Sequence, residues 1–256
     1  MLARIARGVR KHGPVGSVRA AKDVLIVTPL RRRRRRSEKP TLKELVRSTR
    51  AIEVRAEDLL QCLGHAVSED LATEADAAIA EVERRTSARQ LAFPERFAVE
   101  RESGRLLYLL TRVVRPRLMV ETGVANGAST LLILSALERN GSGMLVSVDV
   151  SSEVGSLLSE EEKRSPAWDL RLIRPDGLEE VLAELGPIDV FLHDSDHSYA
   201  NVAAELATAW PRVVDGGLVL ADDGELSCAF LDAASAHGVA PYGLFDRRKM
   251  FMVAVR

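Results

Sequence analysis

One stretch of ten residues, at positions 120–129, constrains the fold of this chain more than any other. It reads Val-Glu-Thr-Gly-Val-Ala-Asn-Gly-Ala-Ser, so an apolar strand ends in an acidic residue and is followed by a turn of small residues. A helix is predicted directly after the turn. In α/β proteins, a strand, a tight turn and a helix in this order hold nucleotide-like cofactors. The stretch therefore predicts an α/β domain with a ligand site at this turn.

The residues of the turn distinguish between kinds of cofactor. A phosphate-binding loop requires a lysine after its last glycine, and here Ala128 follows Gly127. A dinucleotide fingerprint requires glycines at its first, third and sixth positions, where this chain has Gly123, Ala125 and Ala128. The carboxylate of Glu121 would repel a pyrophosphate and would suit a ligand with an ammonium group and a ribose. The turn therefore indicates S-adenosylmethionine rather than NAD or ATP.

The composition limits the class of protein. At 256 residues, with 46% hydrophobic and 29% charged residues, the chain is long enough for one α/β domain with an N-terminal extension. Cys62 and Cys228 form no metal-ligand or disulfide pattern, which favours a reducing, cytoplasmic setting. No apolar run approaches the roughly 18 to 20 residues of a membrane span. We therefore expect a cytoplasmic protein without a transmembrane segment.

Residues 1–40 form a basic arm. They contain 13 Lys and Arg residues against two acidic residues, whereas the remainder of the chain has 23 against 35. The six consecutive arginines from Arg31 to Arg36 repel one another, so the arm is expected to be flexible. Two interpretations stay open, a solvated linker and a contact with an anionic lipid surface, a nucleic acid or an acidic partner. The arginine-rich, acid-poor start also resembles an organelle transit peptide.

Residues 41–93 are predicted to be helical. Thr41 and Glu44 have the spacing of a capping box, and an apolar face continues from there to Gly64. A second helical stretch, rich in Ala, Glu and Arg, extends from about residue 68 to residue 90. We interpret this segment as a cap over the substrate or as a homo-oligomerisation element.

From residue 94 to residue 256, strands and helices alternate, which indicates a parallel sheet. The predicted parallel strands cover residues 117–120, 144–149, 170–173, 188–194 and 218–223. Two further apolar runs, 243–245 and 249–255, are separated by a polar turn and predict an antiparallel hairpin. The expected fold class is α/β, with a Rossmann-like seven-stranded sheet that is mostly parallel and ends in this hairpin.

Predicted strands of this domain end in carboxylates. These are Glu121, Asp149, Asp194 and the pair Asp222 and Asp223. In an open parallel sheet the ligand crevice lies outside the carboxyl ends of the strands, so these acids converge on one edge. Asp149 follows Glu121 at the end of the next strand, where a carboxylate can accept hydrogen bonds from both ribose hydroxyls. Helix capping is the alternative for a single acid, but it does not explain the adjacent pair.

The three carboxylates of Asp194, Asp222 and Asp223 would repel one another unless a cation lies between them. A hard divalent ion such as Mg2+ prefers an oxygen shell of this kind. Bound there, it would lower the pKa of a substrate hydroxyl and orient that hydroxyl for reaction. The alternative is that these acids cap helices or face solvent.

Four parts of the chain together resemble a known family. They are the turn at 121–129, Asp149, the run His-Asp-Ser-Asp-His-Ser-Tyr at 193–199, and the run Asp-Gly-Gly-Leu-Val-Leu-Ala-Asp-Asp at 215–223. Their order is similar to that of class I S-adenosylmethionine-dependent methyltransferases. The closest pattern is the metal-dependent O-methyltransferase group, which includes macrocin-type sugar methyltransferases and cephalosporin-hydroxylase-like proteins. The likeness extends over about residues 95–256 and implies an enzyme.

The resemblance implies roles for individual residues. The cofactor would be lined by Glu121, Gly123, Ala125, Asn126, Gly127, Ser129, Asp149, Asp176 and Asp194. Of these, Asp149 would bind the ribose hydroxyls and Asp176 the adenine, although an Asp-Gly pair is also a common turn. The metal ligands would be Asp194, Asp222 and Asp223.

Two residues are candidate general bases. Asp196 matches the acid proposed as the base in sugar-modifying relatives. His197 is the second candidate, because a neutral imidazole could accept a hydroxyl proton at neutral pH. His197 could equally donate a structural hydrogen bond.

The chain also departs from some members of the group. Catechol-type enzymes place a lysine soon after the fourth-strand aspartate and an Asp-Asn pair after the fifth strand, and this chain has neither. The expected function is S-adenosylmethionine-dependent and Mg2+-dependent O-methyl transfer to a hydroxyl of a small molecule, such as a sugar or natural product. Two alternatives are a nicotinamide-dependent oxidoreductase and a non-catalytic methyltransferase-like binding protein tethered by the basic arm.

Overall fold

The helices and strands alternate along the chain from residue 94 onward, as predicted. The computed structural model describes residues 39–174, 176–247 and 249–256, so the run from Arg31 to Arg36 lies outside the described residues. The helices are α1 Leu42–Ser48, α2 Ala56–Cys62, α3 Glu69–Ala88, α4 Arg101–Val114, α5 Ala128–Asn140, α6 Leu178–Glu184, α7 Tyr199–Ala209 and α8 Ala229–Ala236. Single turns of 3-10 helix cover Glu95–Phe97, Glu162–Arg164 and Trp210–Arg212. Among the described helices, none combines the length and the apolar content that a bilayer span requires.

One sheet of eight strands organises the described part of the chain. The strands are β1 Ile52–Glu53, β2 Leu118–Thr122, β3 Met144–Asp149, β4 Trp168–Leu172, β5 Ile188–His193, β6 Val213–Ala221, β7 Tyr242–Asp246 and β8 Lys249–Val255. Their order is β1-β7-β8-β6-β5-β2-β3-β4. Strand β8 runs antiparallel to its neighbours β6 and β7, and the other pairs are parallel. The predicted Rossmann-like sheet with a C-terminal antiparallel hairpin is confirmed, with one strand more than the seven expected.

The additional strand comes from the segment predicted to be helical. The capping box of Thr41 and Glu44 is present and starts α1, but this helix ends at Ser48. The chain then pairs with the edge of β7, where the Gly243 N–H donates to the Ala51 carbonyl at 2.9 Å. The prediction of one apolar helical face up to Gly64 is therefore corrected, because the exposed edge of β7 offers backbone partners to β1. Homo-oligomerisation through this segment stays a prediction.

The strand order creates a crevice at β2. From β2 the chain continues outward through β3 and β4, and it then returns to place β5 on the opposite side of β2. Such a reversal leaves a cleft at the carboxyl ends of the two central strands, where α/β sheets bind ligands. The predicted acidic strand ends lie at this edge.

Two apolar layers cover the faces of the sheet. One cluster joins α2, α3, α4 and α5 to the sheet and includes Leu59, Ile79, Leu106, Leu132 and Leu192. The other joins α1, α6, α7 and α8 to the opposite face and includes Leu45, Leu182, Leu206, Phe230 and Phe191. Consecutive residues of β5, Phe191 and Leu192, contribute to opposite layers, as the alternation of side chains along a strand requires. The core therefore fixes the direction of every strand end at the crevice.

A buried arginine joins three helices of the first layer. Arg105 of α4 contacts Glu57 of α2 and Asp76 of α3, and its side chain is 7% exposed. Replacing it with Met is expected to lower the free energy of unfolding by about 2–3 kcal/mol, because Glu57 then loses its buried partner. Urea unfolding measures this change. Arg84→Met is the control, since Arg84 pairs with Glu81 at the surface, and equal effects of the two variants would contradict the assignment.

Candidate active site

The turn after β2 is held against its neighbours by two glycines. Gly123 and Gly127 both have φ of +86°, a left-handed conformation that favours glycine. A Cβ atom on Gly123 would clash with the backbone carbonyl of Asp194, at the end of β5. A Cβ atom on Gly127 would clash with the side chain of Leu158, in the loop after β3. The turn is therefore packed between the segments that follow β5 and β3.

Asp149 at the end of β3 anchors the same turn. Its Oδ2 accepts a hydrogen bond from the Val124 N–H at 2.8 Å, and its Oδ1 accepts one from the Ser151 N–H at 2.9 Å. The Gly123 N–H donates to the Val148 carbonyl at 2.8 Å. Each carboxylate oxygen has further acceptor capacity, so Asp149 can hold the turn and still meet a ligand hydroxyl. Its predicted role at the ribose stays a prediction.

Glu121 lies beneath the turn and is fully buried. Its Oε1 accepts hydrogen bonds from the hydroxyls of Thr130 and Ser147, both at 2.5 Å, and its Oε2 accepts one from Ser129 at 3.3 Å. Burial raises the pKa of Glu121 to about 7, although the three hydroxyls oppose this rise. These contacts show Glu121 and Ser129 supporting the turn from below, and their predicted contact with the cofactor stays a prediction.

The Glu121→Gln variant is expected to change how stability depends on pH. The pKa of Glu121 is raised from 4.5 to about 7 in the folded protein, so its stabilising contribution is complete below about pH 4.5 and is lost as the pH rises through about 7. Between about pH 4.5 and pH 8, the wild type should lose ~3 kcal/mol relative to the variant. Urea unfolding of both proteins across this range measures the difference. A difference independent of pH would contradict the buried, protonated state of Glu121.

Asn126 connects the turn to the segment before α4. Its Oδ1 accepts from the Phe93 N–H at 2.9 Å, and its Nδ2 donates to the Phe93 carbonyl at 2.9 Å. The same Oδ1 also accepts from the Ser156 hydroxyl at 2.9 Å. The neighbouring Ala125, with φ of 45°, accepts the Gly155 N–H at 2.8 Å through its carbonyl. The observed contacts of Ala125 and Asn126 are structural, and their contact with a cofactor stays a prediction.

The carboxylates of Asp194, Asp222 and Asp223 lie near one another in the crevice. Lys249, which was not among the residues predicted for the site, lies beside them. The Lys249 Nζ lies 3.3 Å from the Asp222 Oδ2 and 3.4 Å from the Asp223 Oδ2. The His197 Nε2 lies 3.3 Å from the same Asp223 Oδ2 and 3.8 Å from the Asp194 Oδ1. We call these five residues the acid–lysine cluster.

The protonation of the acid–lysine cluster follows from burial and neighbouring charge. Burial and the charge of Asp222 raise the pKa of Asp194 well above its usual range. Burial raises the pKa of Asp222 to about 6, and Lys249 opposes this rise. The pKa of Lys249 is raised by Asp222 and Asp223 despite its burial, so this side chain is an ammonium. Burial lowers the pKa of His197 to about 4, which leaves its imidazole neutral at neutral pH.

A family model identifies the central part of the chain. Residues 120–224, from β2 to the end of the Asp222 and Asp223 pair, match a model described as a methyltransferase domain. We call the part of the chain that this match covers the methyltransferase domain. The match includes the turn after β2 and the carboxylates at the ends of β3, β5 and β6, and it stops before Lys249. No curated protein matches the chain.

The fold of the methyltransferase domain is similar to that of solved methyltransferases. The O-methyltransferase from Bacillus cereus, in complex with SAH, is 19% identical, with 70% of this chain and 91% of that chain covered and a TM-score of 0.55. A methyltransferase from Geobacter sulfurreducens is also 19% identical, with 74% and 96% covered and a TM-score of 0.54.

A third solved structure extends the comparison. The O-methyltransferase TomG from Streptomyces achromogenes, involved in tomaymycin synthesis and in complex with SAM, is 17% identical, with 83% of this chain and 98% of that chain covered and a TM-score of 0.52. Identities at this level establish a common fold. Together with the family match, they confirm the prediction of a class I methyltransferase enzyme.

Asp196 and Asp176 lie at the surface of the methyltransferase domain. The Asp196 carboxylate accepts hydrogen bonds from the Ser198 N–H at 3.1 Å and the Ser198 hydroxyl at 2.7 Å, which lower its pKa. Ser198 in turn caps α7. Asp176 is exposed and lies 3.6 Å from the Arg174 guanidinium. Asp196 therefore supports a helix start, and the roles predicted for it as a base and for Asp176 at the adenine stay predictions.

A second polar network of the methyltransferase domain surrounds Glu205 and was not predicted from the sequence. Glu205 of α7 accepts hydrogen bonds from the hydroxyls of Thr122 at 2.5 Å and Ser195 at 2.6 Å, and lies 2.7 Å from the His193 Nδ1. It thereby joins the ends of β2 and β5. The sequence carries no local signal for this contact, because Glu205 lies in an ordinary helical segment.

Arg85 and Arg89, at the end of α3, bind the loop that covers the turn. Arg89 Nη1 donates to the carbonyls of Ser156, Leu157 and Leu158 at 2.7–3.0 Å. Arg85 Nη1 donates to the Leu157 carbonyl at 3.0 Å. The end of α3 therefore stabilises the loop after β3, a contact that was not predicted from the sequence.

The Mg2+ site implied by the resemblance does not fit the acid–lysine cluster as it is arranged. Mg2+ requires oxygen ligands at about 2.0–2.1 Å in a near-octahedral shell. The Asp222 Oδ2 and the Asp223 Oδ2 instead face the ammonium of Lys249. Within residues 39–174, 176–247 and 249–256, no group of three or more His, Cys, Asp and Glu side chains has the geometry to hold a metal ion.

Proposed function

We propose that the protein transfers the methyl group of S-adenosylmethionine to a hydroxyl of a small molecule. The observation that carries this proposal is the two-glycine turn after β2, held by Asp149 within a matched methyltransferase domain. The B. cereus and S. achromogenes structures, which contain SAH and SAM, support the same cofactor here. Both of these proteins are O-methyltransferases, which supports an oxygen acceptor here.

The cofactor would lie at the crevice, over the carboxyl ends of β5, β2 and β3. Gly123 and Gly127 let the turn pack against Asp194 and Leu158, and the methionine and ribose would approach this turn. Asp149 would accept the ribose hydroxyls, and Asp176 follows β4 on the adenine side. Asp194 follows β5 and would border the sulfonium, with Glu121, Ala125, Asn126 and Ser129 shaping the turn.

His197 is the stronger of the two candidate bases. Its Nε2 faces the Asp223 carboxylate at 3.3 Å, an arrangement that favours the tautomer with the proton on Nε2. Its Nδ1 is buried and has no hydrogen-bond partner among the described residues. An acceptor hydroxyl that enters the crevice would satisfy this nitrogen, which is otherwise costly to bury. Asp196 already accepts two hydrogen bonds from Ser198 and is the weaker candidate.

The reaction follows from this arrangement. The acceptor oxygen attacks the methyl carbon in line with the carbon–sulfur bond, which breaks as the new carbon–oxygen bond forms. The sulfur retains the electron pair and leaves as the thioether of S-adenosylhomocysteine. The hydroxyl proton passes to the Nδ1 of His197, while Asp223 holds the ring through Nε2–H. Because the sulfonium is already an activated donor, alignment supplies much of the rate.

The acceptor is proposed to be a hydroxylated small molecule such as a sugar or natural product. TomG is an O-methyltransferase involved in tomaymycin synthesis, which supports this class. The Mg2+ predicted from the resemblance has no step in this mechanism, since Lys249 provides the positive charge beside Asp222 and Asp223.

Incubation with methyl-labelled S-adenosylmethionine tests the proposal. The acceptor panel contains sugars, macrolide glycosides and phenols, together with amines of matched size. We expect label to enter a hydroxylated acceptor, with one S-adenosylhomocysteine released for each methyl group transferred. Transfer to amines alone would refute the oxygen acceptor. Reduction or oxidation of the panel with a nicotinamide cofactor would favour the oxidoreductase alternative.

A further inference from the structure

Lys249 reaches the predicted metal position from outside the matched domain. It is the first residue of β8 and pairs with Asp246 across the hairpin. Its side chain is 9% exposed, and its Nζ lies within 3.4 Å of both Asp222 and Asp223. An ammonium with a buried stem and two carboxylate partners is a fixed cation rather than a surface charge. The hairpin therefore brings a positive charge of its own to the crevice.

The geometry assigns this ammonium the position that a divalent ion would need. A divalent ion held by Asp222 and Asp223 would compete with Lys249 for their carboxylate oxygens and would lie near its positive charge. The two cations therefore repel each other and exclude each other from the site. Because Lys249 is part of the protein chain, its ammonium is present at every metal concentration.

The third N–H of the ammonium gives Lys249 a further role. A lysine ammonium has three donors and no acceptor. One of them donates to the Asp222 Oδ2 at 3.3 Å, and the ammonium also lies 3.4 Å from the Asp223 Oδ2. A donor directed away from both carboxylates can meet the acceptor oxygen as its proton leaves for His197, whose Nε2 lies against the same Asp223. A hydrogen bond from an ammonium to this oxygen becomes stronger as negative charge develops there.

We propose that Lys249 is the built-in cation of the acceptor site, and that it replaces a divalent metal in orienting the acceptor hydroxyl. The exclusion of the metal rests on the acid–lysine cluster alone, whereas the role at the hydroxyl rests on the proposed methyl transfer. The two parts can therefore be tested separately.

Metal binding tests the first part without any substrate. Titration of the folded protein with Mn2+, followed by electron paramagnetic resonance, reports bound and free ion directly. We expect no stoichiometric site in the wild type, and a new site in Lys249→Met with at least tenfold higher affinity, because Asp222 and Asp223 then lack their cation. The control Lys163→Met removes a surface lysine that pairs with Glu160, and it should behave as the wild type.

Methyl transfer tests the second part. In the presence of a chelator, the wild type should keep its rate of methyl transfer within twofold. The rate of Lys249→Met should fall at least 100-fold and should recover in part when Mg2+ is added. A single tight Mn2+ site in the wild type, or loss of its activity in chelator, would overturn the inference. The wild-type measurements decide this even if Lys249→Met fails to fold. If the wild type binds no Mn2+ and transfers no methyl group, the cation assignment stands and the proposed function fails.

Discussion

A Gly123→Ala variant is expected to lose most of its affinity for S-adenosylhomocysteine. Gly123 has φ of +86°, and an added Cβ would clash with the Asp194 backbone carbonyl, which cannot rotate away as a flexible side chain can. The left-handed backbone costs about 1–2 kcal/mol for an L-residue, and the steric displacement costs a similar amount. If about 3 kcal/mol must be supplied to restore the binding geometry, the affinity falls about 100-fold. Calorimetric titration measures this change.

Gly141→Ala is the matched control for this variant. Gly141 also has a left-handed backbone, with φ of +68°, but a Cβ there would meet nothing within 4 Å. It ends α5 on the side of the domain away from the turn. We expect a loss of stability of about 1–2 kcal/mol and unchanged affinity for S-adenosylhomocysteine. If Gly123→Ala keeps wild-type affinity, the turn after β2 is not the cofactor site.

Removal of the His197 imidazole is expected to slow methyl transfer by about 100-fold to 10,000-fold. The loss should fall on kcat, because His197 takes the hydroxyl proton through Nδ1 in the proposed reaction and is not assigned to the cofactor. The Asp223 carboxylate at 3.3 Å would lose its imidazole partner but keep the Lys249 ammonium, so the fold should be retained. Steady-state kinetics of His197→Ala, with circular dichroism as the check on folding, measure this effect.

Asp196→Asn is the matched comparison for the base assignment. This change keeps the shape of the side chain and removes its charge beside Ser198, at the start of α7. We expect less than a tenfold loss of kcat. A larger loss in Asp196→Asn than in His197→Ala would transfer the role of base from His197 to Asp196.

The turn after β2 and the acidic edge could be predicted from the sequence, because the turn follows from local sequence rules and the edge from the parallel arrangement of the strands. The strand, turn and helix at 120–129 follow from an apolar run and two glycines, and Gly123 and Gly127 have the left-handed backbone that such a turn requires. The convergence of Asp194 with Asp222 follows from topology, since parallel strands present their carboxyl ends at one edge.

The cation that contacts these acids could not be predicted from the sequence, because its position depends on the register of the β7–β8 hairpin. Lys249 lies 27 residues after Asp222 in the sequence, and the antiparallel pairing of β6 with β8 brings the two together. The sequence predicted β8 but not the direction of its first side chain. Likewise, β1 is only two residues long and carries no periodic pattern. The contact of Asp222 and Asp223 with Lys249 therefore emerged only from the fold.

Calorimetric titration of the wild-type protein with S-adenosylhomocysteine tests the central claim most directly. The turn after β2 and the Asp149 anchor predict one binding site per chain, with a Kd on the order of 1–100 μM, and no heat from NAD at the same concentration. Repeating the titration in chelator should leave the affinity unchanged. A folded protein that binds NAD, or that binds neither ligand, would contradict the assignment of this crevice to S-adenosylmethionine.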